Sequence, residues 1–249
     1  MEQKYAVPAL DRANAVLHLL AAEPLKWKLS DLSRQLGISK STMFSLLASL
    51  ERLEWIIRDR NDTYALGPVM GSLGSAYFRQ YDVIEEFRRL AEPVMRKLME
   101  SVQLAQLEGS EVLYLSKIEA PSPVQMVSGP GARFPAHATG LGKALMSGMS
   151  DEQVRQIWTE EKLPQVTAHT IASRETLLRE LEQIRRQGYA TDIQEGVMGF
   201  CCVAAPVRRR GSEAMVAVSC SMPLHHWEQK RSEAAQAILH LAEQMSQTR

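Results

Sequence analysis

Residues 30–66 constrain the fold more than any other part of the sequence. A short helical segment carries Leu32 and Leu36 inward, Gly37 then permits a sharp turn, and Ser39 can cap a second helix. At about 100° per residue, one side of this second helix collects apolar side chains, namely Met43, Leu46, Leu47 and Leu50. The opposite side is small and polar, which is typical of a helix that enters the DNA major groove, because short side chains let its backbone approach the bases.

A β-hairpin is predicted directly after that helix. The run 55–66 indicates two short strands around an Asn61-Asp62 turn. A hairpin in this place is a wing, and Arg58 and Arg60 lie where a wing meets phosphates. Residues 1–66 are therefore predicted to form a winged helix-turn-helix domain that binds DNA.

The predicted DNA contacts divide by chemistry. Short hydroxyl side chains on the outward face of the helix are expected to contact base edges, namely Ser41, Thr42 and Ser45. Basic side chains are expected to contact phosphates, namely Lys40, Arg52, Arg58 and Arg60. Ser39 and Ser49 complete the predicted DNA-binding set. An alternative stays open, in which the helix is a scaffold for protein contacts, because the charge of residues 1–66 is nearly balanced.

Composition adds mainly exclusions. The 249 residues include 29 basic and 29 acidic side chains, so the net charge does not by itself indicate a nucleic-acid partner. Cys201, Cys202 and Cys220 do not fit a disulfide framework or a zinc motif. No signal peptide and no apolar run of the roughly 20 residues needed to span a bilayer is found. We expect a cytoplasmic protein without a membrane partner.

The rest of the chain predicts a second domain. Gly67-Pro68 marks a boundary, residues 67–81 are predicted to form a linker helix, and residues 82–249 the second domain. Within it, short strand patterns are interspersed with helical ones. The predicted strands are 103–107, 112–118, 124–127, 189–192, 201–206 and 215–220. The predicted class is α+β, with a mostly antiparallel sheet flanked by helices.

Three segments carry a resemblance to a known family. The turn and helix start at residues 29–42, the segment Gly131–Leu145 and the segment Gly188–Pro206 follow one another in the family's order and spacing. The sequence resembles the IclR-type transcription regulators from Val7 to Met245. The resemblance implies a cytoplasmic regulator that forms dimers or dimers of dimers and binds palindromic or repeated operators, usually beside catabolic genes. It also implies a GAF-like C-terminal domain that takes up a small-molecule effector.

The resemblance assigns effector-binding roles residue by residue. Thr139-Gly140-Leu141-Gly142 opens a helix, whose first N–H groups could receive a carboxylate. Backbone donors are assigned to Gly140 and Leu141. The polar wall is assigned to Asp192, Cys202, Ser219 and Ser221. The apolar wall is assigned to Met126, Phe134 and Phe200.

The chemistry of the effector stays open at this point. Asp192 would repel an anion unless it is protonated, accepts a hydrogen bond from a ligand hydroxyl, or only holds the fold together. Cys202 is equally compatible with a core position and with a pocket wall. We expect a small organic acid or a related carbon-source metabolite, no cofactor, no metal and no enzymatic activity. The alternative is a DNA-binding protein whose C-terminal domain only oligomerises and binds no ligand.

Overall fold

A computed structural model describes residues 7–78, 82–121, 128–208 and 216–247. The chain divides into two compact units, Met1–Gln80 and Tyr81–Arg249. The predicted strand at 124–127 and the predicted effector contact Met126 lie outside the described residues. Among the described residues, no helix is long and apolar enough to cross a membrane.

The first unit is the predicted winged helix-turn-helix. Its helices are α1 (Pro8–Ala22), α2 (Leu29–Gln35), α3 (Lys40–Arg52) and α4 (Pro68–Phe78), and its antiparallel wing is β1 (Ile56–Arg58) with β2 (Tyr64–Leu66). Gly37 takes φ +64° in the turn between α2 and α3, a value that L side chains rarely adopt. The inward side of α3 packs Met43, Leu47 and Leu50 against α1 and α2 in one apolar core.

The second unit is built on one six-stranded antiparallel sheet in the order β5-β4-β3-β8-β7-β6. The strands are β3 (Ser101–Glu108), β4 (Glu111–Ile118), β5 (Arg133–Pro135), β6 (Ala190–Ile193), β7 (Phe200–Val207) and β8 (Val216–Pro223). The helices are α5 (Asp82–Leu98), α6 (Gly140–Met146), α7 (Asp151–Ile157), α8 (Arg174–Gln187) and α9 (Leu224–Gln247). The predicted α+β class is confirmed.

Successive side chains of a strand point to opposite faces of a sheet. Both faces of this sheet carry apolar side chains, and helices cover both. Ala204 of β7 and Ala217 of β8 share an apolar core with α6, α7 and α8. Helices α5 and α9 pack on each other and on the sheet. Cys202, on the same face of β7 as Ala204, therefore points toward α6, which positions it for the cavity described below.

Candidate DNA-binding surface and ligand cavity

The outward face of α3 carries a row of hydroxyl groups. Ser39 caps the helix by accepting the Thr42 N–H at 3.3 Å. Ser45 Oγ donates to the Ser41 carbonyl at 3.2 Å, and Ser49 Oγ donates to the Ser45 carbonyl at 2.9 Å. These donations leave the hydroxyl lone pairs directed to solvent. The predicted base-contacting and helix-borne phosphate-contacting side chains are all exposed on this helix.

The wing turn is held by a single aspartate. Asp59 accepts the Thr63 N–H and the Thr63 hydroxyl, both at 2.8 Å, and the Asn61 N–H at 3.0 Å. The hydrogen bonds from Thr63, followed by those from Asn61, lower the pKa of Asp59 below its ordinary value. This turn is polar on its outer side and fixes the ends of β1 and β2.

The two predicted phosphate contacts of the wing differ in their surroundings. Arg58 pairs with Asp62 at 2.7 Å and lies over the Tyr64 ring, with 5.9 Å between its guanidinium carbon and the ring centroid. Arg60 is exposed at the turn. An exposed ion pair is worth at most about 1 kcal/mol, so the Arg58–Asp62 pair opposes a phosphate contact only weakly.

A cavity opens on the α6 side of the second unit's sheet. Its unfilled space, counting the mouth open to solvent, is about 350 Å³, and it is narrow inside. Five predicted effector contacts line it, namely Phe134, Asp192, Phe200, Cys202 and Ser221. Sequence reasoning missed five further wall residues, namely Tyr114, Thr139, Gly196, Val197 and Cys201.

The predicted backbone donors lie behind the cavity wall. A Cβ built on Gly140 would stand 2.6 Å from Cys202 Sγ and 3.7 Å from Asp192 Cβ. Leu141 is buried in the apolar core beneath, and neither residue lines the cavity. Glycine is required at position 140 because only a residue without a side chain lets α6 approach β7 so closely.

Asp192 is the main electrostatic feature of the wall. Its Oδ1 accepts the Glu195 N–H at 2.7 Å, and its Oδ2 accepts weakly from the Cys202 thiol at 4.0 Å. Burial, with repulsion from Glu195 next, raises the pKa of Asp192 to about 7. Burial also raises the pKa of the Cys202 thiol. The wall therefore presents a neutral thiol and a carboxyl group that changes charge near neutral pH.

A buried ion pair supports this wall from behind. Lys143 of α6 is 1% exposed, and its Nζ lies 2.7 Å from Glu195 Oε1 and 3.5 Å from Glu180 Oε1. Burial raises the pKa of Glu195, although Lys143 opposes this. The pair ties α6 to the turn that carries Gly196 and Val197 into the cavity. The sequence feature that could have indicated a buried ion pair is the single lysine, Lys143, among the apolar residues of α6.

A second buried polar group lies across the neighbouring strands. Gln103 of β3 is fully buried, and its Oε1 accepts from Ser219 at 2.9 Å and from Ser221 at 3.0 Å. Its Nε2 has no hydrogen-bond partner among the described residues. Ser221 lines the cavity, whereas Ser219, which was also predicted to do so, lies two residues earlier on β8, opposite Gln103, and does not.

Comparison with known proteins assigns both units. The family model "IclR helix-turn-helix domain" matches residues 9–60, and "Bacterial transcriptional regulator IclR C-terminal" matches residues 75–247. The HTH-type transcriptional repressor AllR of Escherichia coli K12 is 33% identical over 220 residues, which cover 86% of this chain and 80% of AllR. The HTH-type transcriptional regulator XynR of the same organism is 32% identical over 216 residues, 86% of each chain.

A solved structure agrees with this assignment. The crystal structure of Thermotoga maritima IclR is similar with a TM-score of 0.81 and 25% sequence identity, and the match covers 96% of this chain and 97% of that one. Both the winged helix and the domain with the cavity therefore have counterparts, in the same order, in characterised transcription regulators.

Proposed function

The chain belongs to the IclR family of bacterial transcriptional regulators, and from that premise we propose how its two units divide the work. It is a DNA-binding transcription regulator and not an enzyme. The observation that carries the proposal is the pairing of an exposed, hydroxyl-lined helix α3 with a separate unit that contains a partly polar cavity. We propose that α3 and the wing bind the operator and that the cavity binds the effector.

On the DNA side, α3 lies in the major groove and the wing follows the backbone. Ser41, Thr42 and Ser45 face base edges, because their side chains are short, exposed and rich in free lone pairs. Phosphates are contacted by Lys40, Arg52, Arg58 and Arg60. Ser39 and Ser49 lie at the two ends of the hydroxyl row. Residues 1–66 form this domain, 67–81 the linker and 82–249 the effector domain.

On the effector side, the cavity suits a small acid that also carries a hydroxyl group. Phe134, Phe200 and Tyr114 supply apolar walls, and Ser221 supplies a hydroxyl. Asp192 accepts a hydrogen bond from a ligand hydroxyl when ionised and donates to a ligand carboxylate when protonated, which its raised pKa permits near neutral pH. Because the cavity is narrow, a bound metabolite has to part its walls, and this couples binding to a change of shape.

The working assembly follows from the same premise. We propose a homodimer or a dimer of dimers, since a two-fold symmetric protein matches a palindromic operator. A regulator of this kind acts in the compartment that holds the chromosome, which is the cytoplasm. Its target is proposed to be a catabolic operon that handles the effector or a related carbon source.

DNA binding is tested by measuring affinity across salt concentrations. Arg60→Ala should lower the affinity for every duplex alike and reduce the slope of log K against log salt by about 0.9, because one phosphate contact is lost. Ser45→Ala should instead weaken selected duplexes more than random ones. A full-length, folded protein that prefers no duplex over random DNA contradicts the DNA-side proposal.

Effector binding is tested by calorimetry on the full chain with a panel of hydroxy acids, sugar acids and aromatic acids. Ser221→Ala should lower the affinity for a compound that the wild type binds. Thr176→Ala, at the exposed start of α8, should leave that affinity unchanged. Absence of heat with every compound, together with an intact oligomer, favours the alternative that the C-terminal domain only oligomerises.

A further inference from the structure

Phe44 stands out among the side chains of α3. It is 63% exposed, the largest exposed fraction among the large apolar side chains of the described residues. It follows the inward Met43 and precedes Ser45 of the hydroxyl row, so it lies beside the face assigned to base contacts. An exposed phenyl ring in this position is available to an apolar group of a molecule that docks on the same face, and burying it there would be favourable.

The outward surface of α3 carries two parallel rows. Ser41, Ser45 and Ser49 recur every four residues, and two of their hydroxyls donate to backbone carbonyls and so present acceptors outward. Phe44 and Ala48 recur at the same spacing and are both exposed. Residues four apart on a helix lie on the same face, one turn above the other. An acceptor row therefore runs next to an apolar row.

One base pair offers the complement of both rows at the same edge. In the major groove, adenine presents an amino donor and thymine presents a 5-methyl group, whereas a G·C pair has no methyl group. We propose that α3 selects A·T pairs, with Phe44 packed against thymine 5-methyl groups and Ser45 accepting from the adenine amino group. This inference rests on the proposed DNA-binding role of α3 and adds the base class that it selects.

The test removes the methyl group and nothing else. A random duplex library is selected on the full-length protein, and the enriched duplexes are then amplified with either dTTP or dUTP. Wild-type protein should bind the uracil form about fourfold more weakly for each methyl group in contact, the loss expected for one buried carbon. Phe44→Ala should bind both forms with the same affinity, and Phe44→Leu should keep part of the preference.

Control variants separate this effect from other causes. Arg60→Ala should bind both forms more weakly and keep their ratio, since it removes a phosphate contact. Because Phe44 is exposed, Phe44→Ala should keep the circular dichroism and melting temperature of the wild type. Selection repeated with Ser45→Ala should yield duplexes with a relaxed preference at one position.

Two outcomes overturn the inference. One is equal wild-type affinity for the thymine and uracil forms, and the other is a preference that persists in Phe44→Ala, which would assign it to DNA shape. If the protein enriches no duplex at all, the proposed DNA-binding function itself is overturned. If it enriches duplexes but binds their thymine and uracil forms equally, only the inference about base class is overturned.

Discussion

The two units place their candidate functional residues in opposite environments. On α3 and the wing, the predicted contacts are exposed, and the side chains of the Arg58–Asp62 ion pair in the wing are 44% and 65% exposed. In the second unit, for which effector binding is proposed and which is called the effector unit below, Lys143 is 1% exposed, and its partner Glu195 is also buried. In the first region a contact can be changed with little cost to folding, whereas in the second the buried groups hold the cavity wall together.

Two aspartates show the difference in one property. Hydrogen bonds lower the pKa of Asp59 at the exposed wing turn, whereas burial raises the pKa of Asp192 in the cavity wall to about 7. The solvent-facing carboxylate stabilises its turn in the charged form. The enclosed one carries its charge at a cost to folding. The comparison predicts opposite or unequal responses to matched substitutions in the two units.

The largest contrast is expected between two glycines. A Cβ at Gly142 would lie 2.1 Å from the Ala136 carbonyl oxygen, so Gly142→Ala should destabilise the effector unit by about 3 kcal/mol or more. Gly74 in α4 has nothing within 4 Å of such a Cβ among the described residues, so Gly74→Ala should stabilise by about 0.5–1 kcal/mol. Hydrogen exchange of peptides from each unit measures both changes. Equal effects would remove the basis of the comparison.

The next contrast concerns the ion pairs. Lys143→Met leaves Glu195 buried without its cation and should destabilise the effector unit by about 3 kcal/mol, the lower end for such a loss, because Glu195 can take up a proton. Asp62→Asn, which removes the exposed wing pair, should change stability by less than about 1 kcal/mol. The double variant Lys143→Met, Glu195→Gln should recover part of the loss. Full stability of Lys143→Met alone would show that the pair contributes nothing.

The same contrast explains what the sequence could and could not predict. Helical periodicity alone was enough to predict the buried and exposed sides of α3, because a single helix supplies both the inward apolar residues and the outward hydroxyls. The family signatures placed Asp192, Cys202 and Ser221 on one polar wall, and all three line the same cavity; their role in effector binding stays a prediction. The sequence did not indicate that Lys143 meets Glu195 or that Gln103 meets Ser221, because these pairs join elements far apart in the chain. Strand register, which placed Ser219 outside the cavity, is likewise fixed by tertiary packing.

The aspartates predict opposite dependences on pH. Unfolded Asp192 titrates near 3.8 and folded Asp192 at about 7, so the folded state binds more protons between these values and stability falls as the pH rises through that window. Asp192→Asn should therefore gain stability relative to the wild type as the pH rises from 4 to 8, and be no more stable than the wild type at pH 4.

The wing aspartate serves as the matched control. Its pKa is lowered on folding, so its contribution is present at neutral pH and is lost as the pH falls below about 4. Asp59→Asn should therefore speed hydrogen exchange of the wing at pH 7 and leave the effector unit unchanged. Stabilisation of the wing by Asp59→Asn, or a stability gain of Asp192→Asn that does not depend on pH, would contradict the assignment of these two environments.

The smallest contrast is expected at two helix caps. Thr139, 5% exposed, accepts the Gly142 N–H at 3.1 Å at the start of α6, and Ser39, which is exposed, accepts the Thr42 N–H at 3.3 Å at the start of α3. Water can replace the hydroxyl of Ser39 but not that of Thr139. Thr139→Ala should cost about 1–2 kcal/mol and Ser39→Ala about 0.5–1 kcal/mol. Denaturant unfolding monitored by hydrogen exchange within each unit measures both losses of stability. A larger loss for Ser39→Ala than for Thr139→Ala would contradict the expectation that the buried cap contributes more than the exposed one.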